Sequence, residues 1–311
     1  MSRSYSPEEL SAPRDPSPQP REGQSETRRH EQNQEVGRGD STDGQPRPNE
    51  PPEARQTEAR AVEPRKQYEY RSRTYMLRSS EIQAMTDIGK FRALAAKDVE
   101  EFVYRGDRQH MEADLAYLHK QHLIVEREVP HHETSPRRLL ALTKEGHHLL
   151  VATKSAPKEQ ALYHGFTKPR EAHHDADLYR LYQKGLERVA RAGGNNIRVI
   201  LDSELKKNLY RDLARAGRTG NSSDAKADIA ERHGLRVVRG KIPVPDLRVE
   251  YQTPDHELAR VDLELATEHY RFKNIAQKVR AGFSIYARAQ DAPNLRRVLE
   301  QREITAEILS L

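Results

Sequence analysis

Residues Pro245 to Lys278 read PDLRVEYQTPDHELARVDLELATEHYRFKNIAQK, two short strands followed by a helix that bring Asp246, Asp262, Glu264 and Lys278 together. Successive side chains of a strand point to opposite faces. In the second strand Val261, Leu263 and Leu265 therefore share one face, and Asp262, Glu264 and Ala266 share the other. Carboxylates repeated at period two in an apolar strand are costly to desolvate unless a cation or a basic partner compensates them. A hard divalent metal is one compensation. The other reading is a hairpin with a wet outer face, where Asp262 and Glu264 meet solvent or Arg side chains.

Composition limits the setting. The 311 residues allow two modest domains beside any unstructured segment, and a hydrophobic share of 35% with mean hydropathy −0.97 means that much of the length is not packed core. Lys and Arg outnumber Asp and Glu by 53 to 48, a mild excess consistent with a polyanionic partner. Cysteine is absent, which removes disulfides and thiolate metal sites. No apolar run suits a signal peptide or a bilayer span, so a cytoplasmic protein without a membrane partner is expected.

Met1 to about Lys66 is rich in Pro, Ser, Gln, Glu, Arg and Gly, and this tail, 1–66, is expected to be disordered. Tyr68 to Tyr75 is aromatic and basic, suited either to a nucleic-acid backbone or to a tether packing its tyrosines on the next domain. Helical periodicity starts at Ser79 or Ser80 as cap, with Ile82, Met85 and Ile88 on one face. A second helix is expected over about Ala95–Tyr104. A third is capped by Asp107, with Met111, Leu115 and Leu118 as its stripe. Strands at Leu123–Val129 and Arg137–Leu142 flank a turn at Pro130–Pro136, and Thr143 caps a helix holding Leu149, Leu150 and Val151.

Three helices, a two-stranded wing and a closing helix ending in ALTKEGHHLL resemble a winged helix-turn-helix domain over 78–154. The resemblance implies double-stranded DNA as partner. Arg108, Gln109, His110 and Glu112 would lie near base edges, and Arg127, Arg137 and Arg138 of the wing near phosphates. A protein-binding use of the same module is the alternative, favoured by the acidic Glu112 and Asp114.

After a linker at Ser155–Lys168, a helix is expected at Asp177–Ala192 and a strand at Ile197–Leu201. A helix capped by Asp202 or Ser203 follows, carrying Leu205, Leu209 and Leu213 inward and Lys206, Lys207, Arg211 and Arg215 outward. A short helix to His233, strands at Arg236–Val238 and Leu247–Tyr251, and a long helix over Glu268–Arg288 complete an α/β domain at 170–311.

Pro245-Asp246, LELAT and a following helical Lys make this half similar to the PD-(D/E)XK nuclease fold. Together with GKFRALAAKDV at Gly89–Val99, HHDADLYR at His173–Arg180, SEL at Ser203–Leu205 and NIAQKV around Lys278, the order resembles the replication-relaxation family of bacterial plasmids and mobile elements. The resemblance implies a role in replication, DNA relaxation or maintenance, with other replication or mobilisation proteins as further partners. It implies Asp246 and Glu264 as ligands of a Mg²⁺ ion and Lys278 as the third catalytic group of an endonuclease or nickase. Ala266 stands where the nuclease pattern has its lysine, so a DNA-binding scaffold with a degenerate site is the leading expectation and the Mg²⁺-dependent endonuclease or nickase its alternative. Glu204 is a further acid, and Asp262 a ligand or a salt-bridge partner. The paired histidines carry no zinc-ligand spacing, and P-loop, GxGxxG and GxSxG motifs are absent.

Overall fold

The computed structural model describes residues 63–130, 136–166, 169–218, 223–266, 272–288, 291–300 and 308–310. Arg60–Leu311 pack as one unit. The expected tail up to residue 62, the tip of the Pro130–Pro136 turn and residues 267–271 lie outside the described residues.

The aromatic stretch folds as a hairpin of β1 (Lys66–Tyr70) and β2 (Arg73–Leu77), turning at Arg71 and Ser72, both at positive φ. Tyr75 is buried and donates its hydroxyl to Glu145 at 2.9 Å, as a packed tether would. α1 (Ser79–Phe91) is capped at Arg78, one residue before the first expected cap: the Glu81 carboxylate accepts from Arg78 N at 2.7 Å and closes the first turn from within. β3 (Leu94–Ala95) precedes α2 (Ala96–Phe102), where a helix was expected from Ala95 on. α3 (Arg108–Lys120) has its expected cap, with Asp107 accepting from His110 N at 3.0 Å. Met111, Leu115 and Leu118 are buried, and so is Asp114, which accepts from Arg78 at 2.5 Å, Ser80 at 2.6 Å and Tyr104 at 3.2 Å. β4 (Ile124–Val129) and β5 (Arg137–Leu142) pair antiparallel, and β3 adds to the other edge of β5. α4 (Lys144–Ala152) is capped by Thr143 and buries Leu149 and Leu150; Val151, expected inward, is exposed.

α5 (Pro169–Arg191) begins eight residues before the expected Asp177, because Ala172 and Ala176 extend its buried face through the His173–Asp177 segment. β6 (Asn195–Leu201), α6 (Asp202–Arg218), α7 (Ser223–Arg232), β7 (Leu247–Gln252), β8 (Leu258–Ala266), α8 (Phe272–Arg280), β9 (Ser284–Ala287), α9 (Ala292–Glu300) and β10 (Ile308–Ser310) follow. The sheet order is β10-β9-β8-β7-β6, antiparallel from β6 to β8 and parallel from β8 to β10. The fold is thus mixed α/β.

Two expectations are corrected. The helix expected to reach Arg288 stops at Arg280: Gly282 sits at φ +89°, Phe283 N bonds Lys278 O and Gly282 N bonds Val279 O, a left-handed glycine stop. Ile285, Tyr286 and their neighbours then form β9. Arg236–Val238 is not a strand either; Val238 pairs only with Lys241 across a tight turn at Arg239-Gly240.

The helical and sheet parts interlock through buried charge. Arg180 binds Asp98 at 2.7 Å, Arg137 binds Asp177 at 2.8 Å, and Tyr179 donates to Asp87 at 3.0 Å. Between the two parts Gln160 completes the free edge of β6, accepting from Val199 N and donating to Val199 O. Among the described residues no helix is long and apolar enough to cross a membrane.

Close approach fixes one glycine. A Cβ on Gly146 would lie 2.1 Å from the carbonyl oxygen of Leu123, which is backbone and receives Thr143 N. Gly146→Ala should therefore lower stability by about 1–3 kcal/mol from overpacking, although Ala gains up to about 1 kcal/mol over Gly in helix propensity. Urea denaturation of the variant checks the sign.

Candidate functional site

The register that pairs Leu247 with Leu263 sets Asp246, just ahead of β7, beside Glu264 of β8. The two are tied across the strands. Asp246 N donates to Glu264 Oε2 at 3.1 Å, and Asp246 Oδ2 accepts from Leu265 N at 3.0 Å. Lys278 of α8 reaches the same point: its amine lies 2.7 Å from each Glu264 oxygen and donates to Val244 O at 2.6 Å. Asp246, Glu264 and Lys278 therefore converge. Their surroundings differ, since Glu264 has no exposed surface while Asp246 is half-buried.

Both faces of β8 are covered, so its outer face is not wet, although Asp262 meets an Arg side chain as that alternative allowed. Val261, Leu263 and Leu265 pack on the core, and on the opposite face Asp262 is held by the buried Arg248 through both oxygens, at 2.6 and 2.9 Å. Arg248 also donates to the carbonyls of His233 and Gly234, so Asp262 is a salt-bridge partner. Glu204 is engaged elsewhere, 2.7 Å from Arg198. Ala266 is buried, and the amine beside Glu264 comes from α8 instead.

A group that the sequence reading left on the outer surface also belongs here. Asp202 N donates to Asp246 O at 3.1 Å, and Lys206, one turn into α6, binds Asp202 Oδ2 at 2.6 Å. Burial works to lower the pKa of the Lys206 amine, but the Asp202 bond and the charges of Asp202 and Asp246 outweigh it and raise it. The i, i+4 spacing of Asp202 and Lys206 was the available signal.

The donors suit a hard cation in type. Asp246 has one oxygen that takes no hydrogen bond from a described residue, while Glu264 already carries the Lys278 ammonium, so an ion would share that carboxylate with the amine. Mg²⁺ commonly takes one or two carboxylates and completes its shell with water, which such a set satisfies. Among the described residues no group of three or more His, Asp or Glu is disposed as a metal cluster.

The residues expected on DNA are placed less uniformly. Arg108 and Gln109 are exposed at the start of α3. His110 packs edge-on against Tyr104, with Nε2 3.2 Å from Asp114. Arg127 is exposed over the Phe166 ring at 4.8 Å. Arg137 is bound by Asp177 and lies 3.8 Å from Asp98, and Arg138 is bound by Glu112 at 2.6 Å and Glu126 at 2.8 Å. Burial pushes the Asp98 carboxyl up, against the pull of Arg180 and Arg137.

No protein-family model matches the chain, and no curated protein matches it either.

Breaking a buried ion pair by removing one member costs about 3–5 kcal/mol, whereas replacing both by apolar groups is often neutral. Lys278→Met should thus destabilise strongly. Adding Glu264→Leu should restore most of the loss, and chemical denaturation of the single and double variants compares them.

Proposed function

We propose that the chain is a double-stranded DNA-binding protein in which a winged-helix part at 78–154 is joined to a PD-(D/E)XK nuclease-like sheet domain at 170–311. The observation that carries this reading is the meeting of Asp246, just ahead of β7, with Glu264 of β8 and Lys278 of α8. Topology supports it as well: α5, the antiparallel run β6-β7-β8, then α8 and the parallel β9 follow the order of that nuclease core. On the reader side, the exposed Arg108 and Gln109 open α3 toward base edges, and Arg127 is the wing cation without a carboxylate partner among the described residues. By the resemblance, the setting is replication, DNA relaxation or maintenance of a plasmid or mobile element, alongside other replication or mobilisation proteins.

The amine on Glu264 favours a second reading, a Mg²⁺-dependent endonuclease or nickase. Asp246 and Glu264 would hold Mg²⁺, which supplies Lewis acidity toward a phosphate oxygen and a bound water of lowered pKa. Lys278 would offset the charge that develops on the phosphate, fixed by Val244 O so that no reorganisation is needed. The burial of Glu264 keeps water from screening these charges.

Supercoiled plasmid incubated with Mg²⁺ should convert to open circles or linear product, and Asp246→Asn should reduce the rate by about 100-fold or more, the scale of a removed transition-state contact. Equal conversion by that variant sinks the site assignment. Duplex binding should weaken steeply with salt, through counterion release. Absent or salt-insensitive binding would leave a protein-binding adaptor as the reading.

A further inference from the structure

The net charge of the chain is +5, and its location is uneven. Between β6 and β7, residues 202–246 hold ten Lys and Arg against seven Asp and Glu, a net +3. On α6 the apolar residues Leu205 and Leu209 are buried with Leu213 packed behind them, while Lys207, Arg211 and Arg215 recur at four-residue spacing. The two stripes are offset by two residues, roughly 200° around the helix, so the cations stand opposite the core. All three are exposed. Their only close carboxylate among the described residues is Asp212, 3.7 Å from Arg211 and 3.9 Å from Arg215, and it is claimed more tightly by His233 at 2.8 Å. Arg232 of α7 joins Arg215 along an open cleft of about 400 Å³ between the two helices.

This stripe runs from the candidate centre. Lys206 precedes Lys207 and is held by Asp202, whose backbone bonds that of Asp246. From Lys207 to Arg215 the helix rises about 12 Å, comparable with the width of the B-DNA major groove. The wing offers less, since Arg137 and Arg138 are neutralised by Asp177, Glu112 and Glu126.

We propose that the outer face of α6, with Arg232 of α7, is a second DNA-contact surface that tracks the phosphate backbone and leads the duplex to Asp246, Glu264 and Lys278. It rests on the DNA-binding reading and adds which face carries the duplex there. The contact is to phosphates and is independent of base sequence.

The test is titration of the full chain with a labelled random-sequence duplex across a range of salt, comparing wild type with Lys207→Gln/Arg211→Gln/Arg215→Gln. Each phosphate contact contributes about 0.9 to the slope of log K against log salt. The triple variant should therefore lose about 2–3 from the slope and bind more weakly at low salt. Its thermal melting should stay unchanged, because the three side chains are exposed; Arg232→Gln alone should lose about one contact. Steep wild-type binding with an unchanged slope in the triple variant overturns this surface and leaves the DNA-binding reading standing. No wild-type binding to duplex overturns both. Loss of binding to single-stranded RNA but not to duplex DNA also overturns the proposal.

Discussion

A carboxylate with no exposed surface in the middle of a sheet has to be neutralised, and Glu264 is such a group. Lys278 provides the charge, while the Asp246 amide adds a fixed dipole. That amine comes from α8, whose left-handed stop at Gly282 leads into β9, parallel to β8. Arg248 with Asp262 repeats the device two residues earlier on β8, but with every charge committed to structure. Asp246 and Asp202 are the carboxylates at this end of the sheet that stay partly open to solvent, and Asp202 is taken by Lys206.

The same constraint accounts for Arg137 of β5. α5 packs against the helical part through Asp177 and Arg180, and these need partners of opposite sign from the facing surface. Asp98 and Arg137 are those partners. The carboxyl of Asp98 is pushed up by burial even so, which marks how dry the junction is. A basic residue at the start of a strand after a loop reads equally as a phosphate contact or a junction contact, and only the position of α5 separates the two.

Local chemistry made much of the fold legible. Asp107 and Thr143 act as the caps expected of them, the bounds of β5 fall where the apolar run after the turn puts them, and the facing of Val261, Leu263 and Leu265 follows from period two. The errors came where periodicity is ambiguous. Val279, Phe283 and Tyr286 fit a helical stripe, yet Gly282 between them supplies a conformation that other residues reach at a cost, and it ends the helix. The β1-β2 hairpin was missed because Arg71 and Ser72 occupy its turn in place of Asn-Gly. The first two turns of α5 are hidden in the sequence because His173, His174 and Asp175 look like loop residues, while the burial of Ala172 and Ala176 is decided by tertiary packing.

Partnership of charges was the less legible layer. Lys206, Lys207, Arg211 and Arg215 all lie on one helix with outward positions, and sequence treats them alike. In the fold the first is turned to the carboxylates near Asp246, whereas the others remain open. A net +5 spread evenly would create little field beyond the Debye length of about 8 Å at physiological salt. Most of that excess is instead gathered in the segment between β6 and β7, beside a buried carboxylate whose charge Lys278 already cancels. The acidic centre then repels an approaching polyanion weakly, and the neighbouring cations attract it at short range. An acidic catalytic or scaffold site can coexist with phosphate binding under that arrangement, because the attraction and the carboxylates occupy adjacent but separate surfaces.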